Sequence, residues 1–198
     1  MTFLKAIAIA SAFVATSIIA SNAYAETDLR QGFQTVKVNY SKHGVDLKKR
    51  TRFSAAPLAY QLFCLKNKGE CRPGGASHAI YSASLVAKLE VVNQRVNRGM
   101  TFRSERKDTW SVNSKSGDCE DFVLTKRHRL LRMGIPAGAL RIAAVRNSKG
   151  EGHAILVVKT DRGDFVLDNA RPNIVKRNKT GYRLIAMSSA NPMSWTRN

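Results

Sequence analysis

Leu85, Leu89, Val92 and Val96 recur at intervals of 4, 3 and 4, the period of a helix with one buried face. Ser77 is placed as its N-cap and Gly99 as its end. This stripe is read as core packing, without catalytic meaning. A second helix is expected to begin near Gly117-Asp118-Cys119, with Phe122, Val123, Leu130 and Met133 as its apolar positions. Glu120 and Asp121 suit the positive end of its dipole, and Lys126, Arg127 and Arg129 are assigned to its exposed face. Gly134 and Pro136 stop it.

The period then changes. Residues 140–145 alternate, and His153 to Thr160 is a β-branched run suited to a central strand. Asp161-Arg162-Gly163 marks a turn into a returning strand, Asp164 to Asp168, and a further short strand is expected around Tyr182 to Ala186. Residues 53–76 hold Pro57, two cysteines and Arg72-Pro73-Gly74-Gly75, and are read as loop-dominated. Helices followed by an antiparallel sheet make the class α+β.

The N-terminus changes the picture of the whole chain. Lys5, an apolar stretch from Ala6 to Ala20, and Ala23-Tyr24-Ala25 form the charged, apolar and small-x-small parts of a secretory signal. The apolar run is shorter than the ~20 residues of a membrane-spanning helix. Residues 1–25 are therefore read as a signal peptide and 26–198 as a single domain, periplasmic or secreted, with no membrane anchor after cleavage. The remaining 173 residues suffice for one core and would carry 32 Lys and Arg against 14 Asp and Glu, a net charge of +18. Such a balance attracts polyanions, and a non-catalytic polyanion-binding protein is one alternative. No zinc-finger, RNP or helix-turn-helix signature accompanies the charge, so no specific nucleic-acid partner is expected.

Three cysteines in an oxidising compartment leave one over. Cys64 and Cys71 flank a turn-forming Asn67-Lys68-Gly69-Glu70 and are expected to pair. Cys119 then stays free at a helix start, where backbone N–H groups and the dipole stabilise a thiolate, although a buried structural thiol would also explain it. His153 opens the strongest strand and Asp168 ends the next. If the two strands form a hairpin with an even-length loop, both side chains share one face. A four-residue loop sets Asp168 opposite Ile155, within reach of the imidazole. An Asp that orients a His beside a nucleophile is the logic of a catalytic triad on any fold. His43, His78 and His128 have no Cys or His at zinc-ligand spacing.

Gly117-Asp118-Cys119-Glu120-Asp121-Phe122, with Trp110 upstream and His153-Ala154-Ile155-Leu156-Val157 and Leu167-Asp168-Asn169 downstream, resembles the bacterial transglutaminase-like cysteine proteinases, among them the LapG-like periplasmic proteases. The resemblance covers roughly residues 80–170. It implies a papain-like fold with the nucleophile's helix packed on a sheet, and a cysteine peptidase with Cys119 as nucleophile, His153 as base and acid, and Asp168 as orienter. It also implies calcium as cofactor at Asp118 and Glu120, with Asp121 a further candidate. The implied partners are an exported or surface protein substrate such as an adhesin and, in some members, an inner-membrane regulatory receptor. An amidase or transglutaminase-type acyl transferase on the same triad is the alternative within that chemistry.

Overall fold

The protein is described here from a computed structural model, covering residues 52–105 and 107–197. The expected signal segment, the basic stretch that follows it and His43 lie outside the described residues. Among the described residues, no helix is long and apolar enough to cross a membrane.

A seven-stranded, wholly antiparallel sheet organises the fold. In chain order its strands are β1 (Arg52–Ala55), β4 (Leu140–Arg146), β5 (Gly152–Val158), β6 (Phe165–Leu167), β7 (Val175–Lys176), β8 (Arg183–Ser188) and β9 (Ser194–Arg197). Across the sheet they run β1-β9-β8-β4-β5-β6-β7. A two-residue parallel pair, β2 (Thr101–Phe102) and β3 (Ser116–Gly117), stands apart from it. Among the described residues there are three α-helices: α1 (Leu58–Lys66), α2 (Ala83–Gly99) and α3 (Cys119–Arg132). The sheet and helices make the α+β class expected, with a papain- or transglutaminase-like arrangement in which α3 packs on β5.

Period-2 alternation divides the sheet's two faces. Ala154, Leu156 and Val158 join α2 and α3 in the main core, together with Leu89, Val92, Val96, Phe122 and Leu130. Ile155 and Val157 form a second cluster on the opposite face with Ala143, Val145 and Val166. The sequence shows this as a continuous apolar run because β5 is buried on both faces.

Two helices differ from the sequence expectation. Helix α2 starts at Ser82, whose Oγ accepts the Leu85 N–H at 3.0 Å, and not at Ser77. The residues in between are held elsewhere: Ala79 bridges Thr160, and the Tyr81 N–H donates to Asp161 Oδ1. The segment expected to be loops contains α1, whose Tyr60, Phe63 and Cys64 are buried while Leu58, Leu62 and Leu65 are exposed.

Cys64 and Cys71 form the expected disulfide. The loop it closes is tied to α3, because the Glu70 carboxylate meets His128 Nδ1 at 2.6 Å and its carbonyl accepts from Arg127 Nη1. Replacing both cysteines by Ser is expected to lower stability by about 2–3 kcal/mol, the loop-closure entropy of so short a ring. Denaturant unfolding of the double variant against the oxidised protein checks this.

Candidate active site

Cys119 is the first residue of α3, follows the extended N-cap Asp118, and is the free cysteine. Its place depends on Gly117. A Cβ there would stand 2.0 Å from Asp121 Oδ2 and 2.6 Å from Asp121 Cβ and Cγ. Asp121 occupies that space because its Oδ1 accepts the Ser111 N–H at 2.7 Å and the Ser111 hydroxyl at 3.0 Å, anchoring the preceding loop to the helix start. Gly117→Ala is expected to cost about 2–3 kcal/mol through this overpacking and to displace Cys119. Thermal unfolding and the rate of Cys119 alkylation would show both effects.

His153 lies at the start of β5, and Asp168 directly follows β6. The pairs Leu156↔Leu167 and Val157↔Val166, carried one residue further, bring Asp168 opposite Ile155. Both side chains thus fall on one face, and His153 Nε2 meets Asp168 Oδ1 at 2.8 Å. Nδ1 is left as the imidazole's free nitrogen.

Asp168 is almost fully buried and heavily held. Oδ1 also accepts the Ala170 N–H at 2.9 Å, and Oδ2 accepts the Tyr182 hydroxyl at 2.7 Å. Arg171 Nε stands 3.6 Å from Oδ2. Burial by itself would raise the carboxyl's pKa, but the bonds from His153, Ala170 and Tyr182 outweigh it and hold the pKa below its usual value. The backbone of Asp168 is fixed from α2: Asn93 Oδ1 accepts its N–H at 3.0 Å, and Asn97 Nδ2 donates to its carbonyl at 2.9 Å. These asparagines escaped the sequence reading, which treated α2 as packing alone. The available signal was two asparagines at i, i+4 beside the apolar stripe, because Asn is a poor interior helix residue.

At the thiol, burial and the neighbouring carboxylates outweigh the helix start. A helix N-terminus favours the thiolate, and so does the Ala154 N–H. Burial first, and then the charge and hydrogen bond of Glu120, nevertheless push the Cys119 pKa well above the ordinary thiol range. Sγ donates to Glu120 Oε2 at 3.0 Å. Asp118 is raised to about 6, chiefly by burial and then by its hydrogen bond and repulsion with Glu120.

The three candidate calcium ligands separate into two groups. Asp118 and Glu120 face each other as a self-repelling pair, and hard oxygen donors of that kind suit calcium. Asp121 has Oδ1 committed to Ser111, while Oδ2 is buried without a partner. Among the described residues, no three His, Cys, Asp or Glu side chains gather as a metal-holding group. The donor chemistry fits calcium at Asp118 and Glu120, and the remaining ligands would have to come from backbone carbonyls and water.

Cys119 and His153 both line two cavities. One, of about 390 Å³, is walled by Pro57, Trp110, Ile142, Ile185 and Trp195. The other, of about 330 Å³, is walled by Phe102, Asn147, Glu151, Asn169 and Tyr182. The thiol and imidazole thus belong to both hollows, the first of which also carries Asp108 and Glu120 on its wall.

An α+β core with a free thiol at a helix start and a His–Asp pair on the adjoining strands is the architecture of papain- and transglutaminase-like cysteine enzymes. The family described as bacterial transglutaminase-like cysteine proteinase matches residues 50–197, and this chain belongs to it. Among solved structures, the chain is similar to Legionella pneumophila LapG. The calcium-bound form shows 22% identity over 54% of this chain and 66% of that one, with a TM-score of 0.49. The EGTA-treated form shows 22% identity over 52% and 62%, with a TM-score of 0.48. A third LapG structure shows 23% identity over 54% and 64%, with a TM-score of 0.49. The chain therefore spans just under two thirds of the LapG chains it matches. A search of curated proteins finds no match.

Proposed function

We propose that this chain is an exported, periplasmic cysteine endopeptidase working through Cys119, His153 and Asp168, with residues 1–25 as its signal peptide and the rest as one domain. The observation that carries this is the His153 Nε2–Asp168 Oδ1 bond of 2.8 Å, on an imidazole that shares both cavities with the free Cys119 thiol. With Nε2–H donated to Asp168, Nδ1 is the lone-pair nitrogen that takes the Sγ proton. Sγ then adds to the peptide carbonyl carbon, and the oxyanion that forms is assigned to the first N–H groups of α3 and to the Ala154 N–H, which already acts on the thiol. The imidazolium returns its proton to the departing amine as the C–N bond breaks. Water, deprotonated by His153, finally hydrolyses the thioester and frees the thiol.

Two hollows that share the thiol and the imidazole leave room for more of a polypeptide than its scissile bond. They favour an endopeptidase over an amidase for small substrates. The substrate class is an exported or surface protein, an adhesin being the example that family membership suggests. Comparing exported proteins from cells carrying wild-type and Cys119→Ala protein tests the assignment. A polypeptide that stays uncut only in the variant, and gives a new N-terminus when the wild type is restored, is the expected result. A crosslinked product would mean acyl transfer instead, and an identical set of proteins would overturn the assignment.

Calcium is assigned to Asp118 and Glu120, with Asp121 a further candidate through Oδ2. When bound, it would neutralise carboxylates that otherwise oppose a thiolate at Cys119. The expected outcome is that EGTA lowers activity, that Ca²⁺ but not Mg²⁺ restores it, and that Ca²⁺ raises the melting temperature. Full activity in EGTA together with an unchanged melting temperature would leave these residues as a helix start, each worth about 0.3–1 kcal/mol there.

A further inference from the structure

We propose that Tyr182 is a positioning residue of this site, gripping Asp168 so that one carboxylate oxygen stays on His153; the proposal rests on the catalytic assignment above. The terminal torsion of an aspartate is soft and roughly two-fold. A carboxylate held at Oδ1 alone by His153 and the Ala170 N–H could therefore turn. Tyr182 removes that freedom by donating its hydroxyl to Oδ2 at 2.7 Å. Its ring also meets the imidazole edge-on, with centroids 5.7 Å apart and planes at 75°. One side chain thus restrains both members of the His–Asp pair.

The other cations near Asp168 do not supply this grip. Arg171 Nε is 3.6 Å from Oδ2, beyond hydrogen-bond range. Lys126 makes no hydrogen bond to it, because its buried Nζ has no hydrogen-bond partner. Arg171 acts on Tyr182 instead: its guanidinium lies over the phenol ring at 5.2 Å, and Nη2 donates to the Thr180 carbonyl at 2.7 Å. Gly181, at φ +74°, turns the chain from Thr180 into Tyr182, a conformation glycine adopts freely. The Tyr182 N–H donates to Thr180 Oγ1 at 3.2 Å. The phenol is thus fixed from its own turn, from Arg171 and from Asp168, and β8 is linked to chemistry carried on α3, β5 and β6. Burial and then the carboxylate raise the pKa of Tyr182, so its hydroxyl stays a donor at neutral pH.

Tyr182→Phe keeps the ring and removes only the hydroxyl. Imidazole ¹⁵N spectra of the full-length protein, recorded on the neutral imidazole, should show a single Nε2–H tautomer at His153 in the wild type and a mixture in the variant. Against a peptide spanning the cut mapped in the Cys119→Ala comparison, kcat should fall about tenfold or more with KM unchanged, the factor carried by a hydrogen bond to a charged group. A variant that keeps the single tautomer, or keeps kcat, overturns the proposal while leaving the peptidase assignment standing. If no cut is found at all, the assignment fails, and the spectra still decide whether Tyr182 positions the pair.

Discussion

Cys119→Ser and His153→Ala are each expected to abolish turnover, and Asp168→Asn to reduce it by about 10³–10⁴-fold, the loss seen when a serine triad takes the wrong tautomer. The first two follow from chemistry. A hydroxyl at position 119 is a far weaker acid than a thiol, and without His153 no imidazole remains to carry the Sγ proton to the departing amine. Asp168 acts differently. Its Oδ1 accepts from Nε2, so Nδ1 keeps the lone pair, whereas an amide in its place can present N–H to Nε2 and reverse the tautomer. Thermal unfolding should change least for Cys119→Ser. Asp168→Asn should also lose some stability, because the carboxylate's pKa is held below its ordinary value when folded. That contribution is present above the ordinary carboxyl range and is lost as pH falls through the folded value. Rates of appearance of the new N-terminus, measured at equal folded concentration, separate the catalytic loss from the stability loss.

Lys126→Met is expected to stabilise the protein by on the order of 4 kcal/mol at neutral pH, the largest stability change foreseen for one residue. Lys126 is fully buried on α3. Its Nζ has no hydrogen-bond partner, and it lies 5.8 Å from the centroid of the Phe122 ring. Burial lowers its pKa from 10.5 to about 7, against a partial opposing pull from Asp168. Between these values the unfolded chain holds the proton and the folded chain does not. Wild-type stability should therefore rise as pH goes from about 7 towards 10.5. The gain from Met should be greatest at and below neutral pH and vanish near the top of that window. Urea unfolding of both proteins across the range checks sign and shape, and a pH-independent difference would mean that the ammonium is not the cause.

Lys126 and Arg127 also show where sequence reasoning stopped. A Lys-Arg-His-Arg run reads as a solvated face, yet Lys126 and Arg127 are 0% and 1% exposed. Helix α3 packs against α2 on one side and β5 on another, and burial on two sides is invisible to a one-face period. Arg127 is drawn in by the Glu70 carbonyl, whose loop the disulfide closes. Helix α1 escaped for the opposite reason. Leu58, Leu62 and Leu65 face outward while Tyr60, Phe63 and Cys64 face inward, so no polar face marks its period. The pairing of β1 with β9 joins Arg52–Ala55 to Ser194–Arg197, partners too distant in sequence for any local pattern to reveal.

What the amino-acid sequence determined by itself is local. The 4-3-4 spacing determined α2. Gly134, at φ +80°, and Pro136 determined the end of α3. The Asp161-Arg162-Gly163 turn determined a hairpin, and because side-chain direction in a strand repeats every two residues, only the parity of its loop was left for the structure to decide in setting His153 and Asp168 on one face. The cysteine pair was legible because closing a short ring is a local event. Only the tertiary structure decided how these parts act together. It brought Asn93 and Asn97 of α2 onto the backbone of Asp168, and Tyr182 from the start of β8 onto its carboxylate. It turned Asp121 away towards Ser111, and it added burial to the pull of Glu120 against the helix dipole at Cys119. Each of these depends on the distance between groups remote in the chain and on the water excluded between them, and neither quantity is written in the order of the residues.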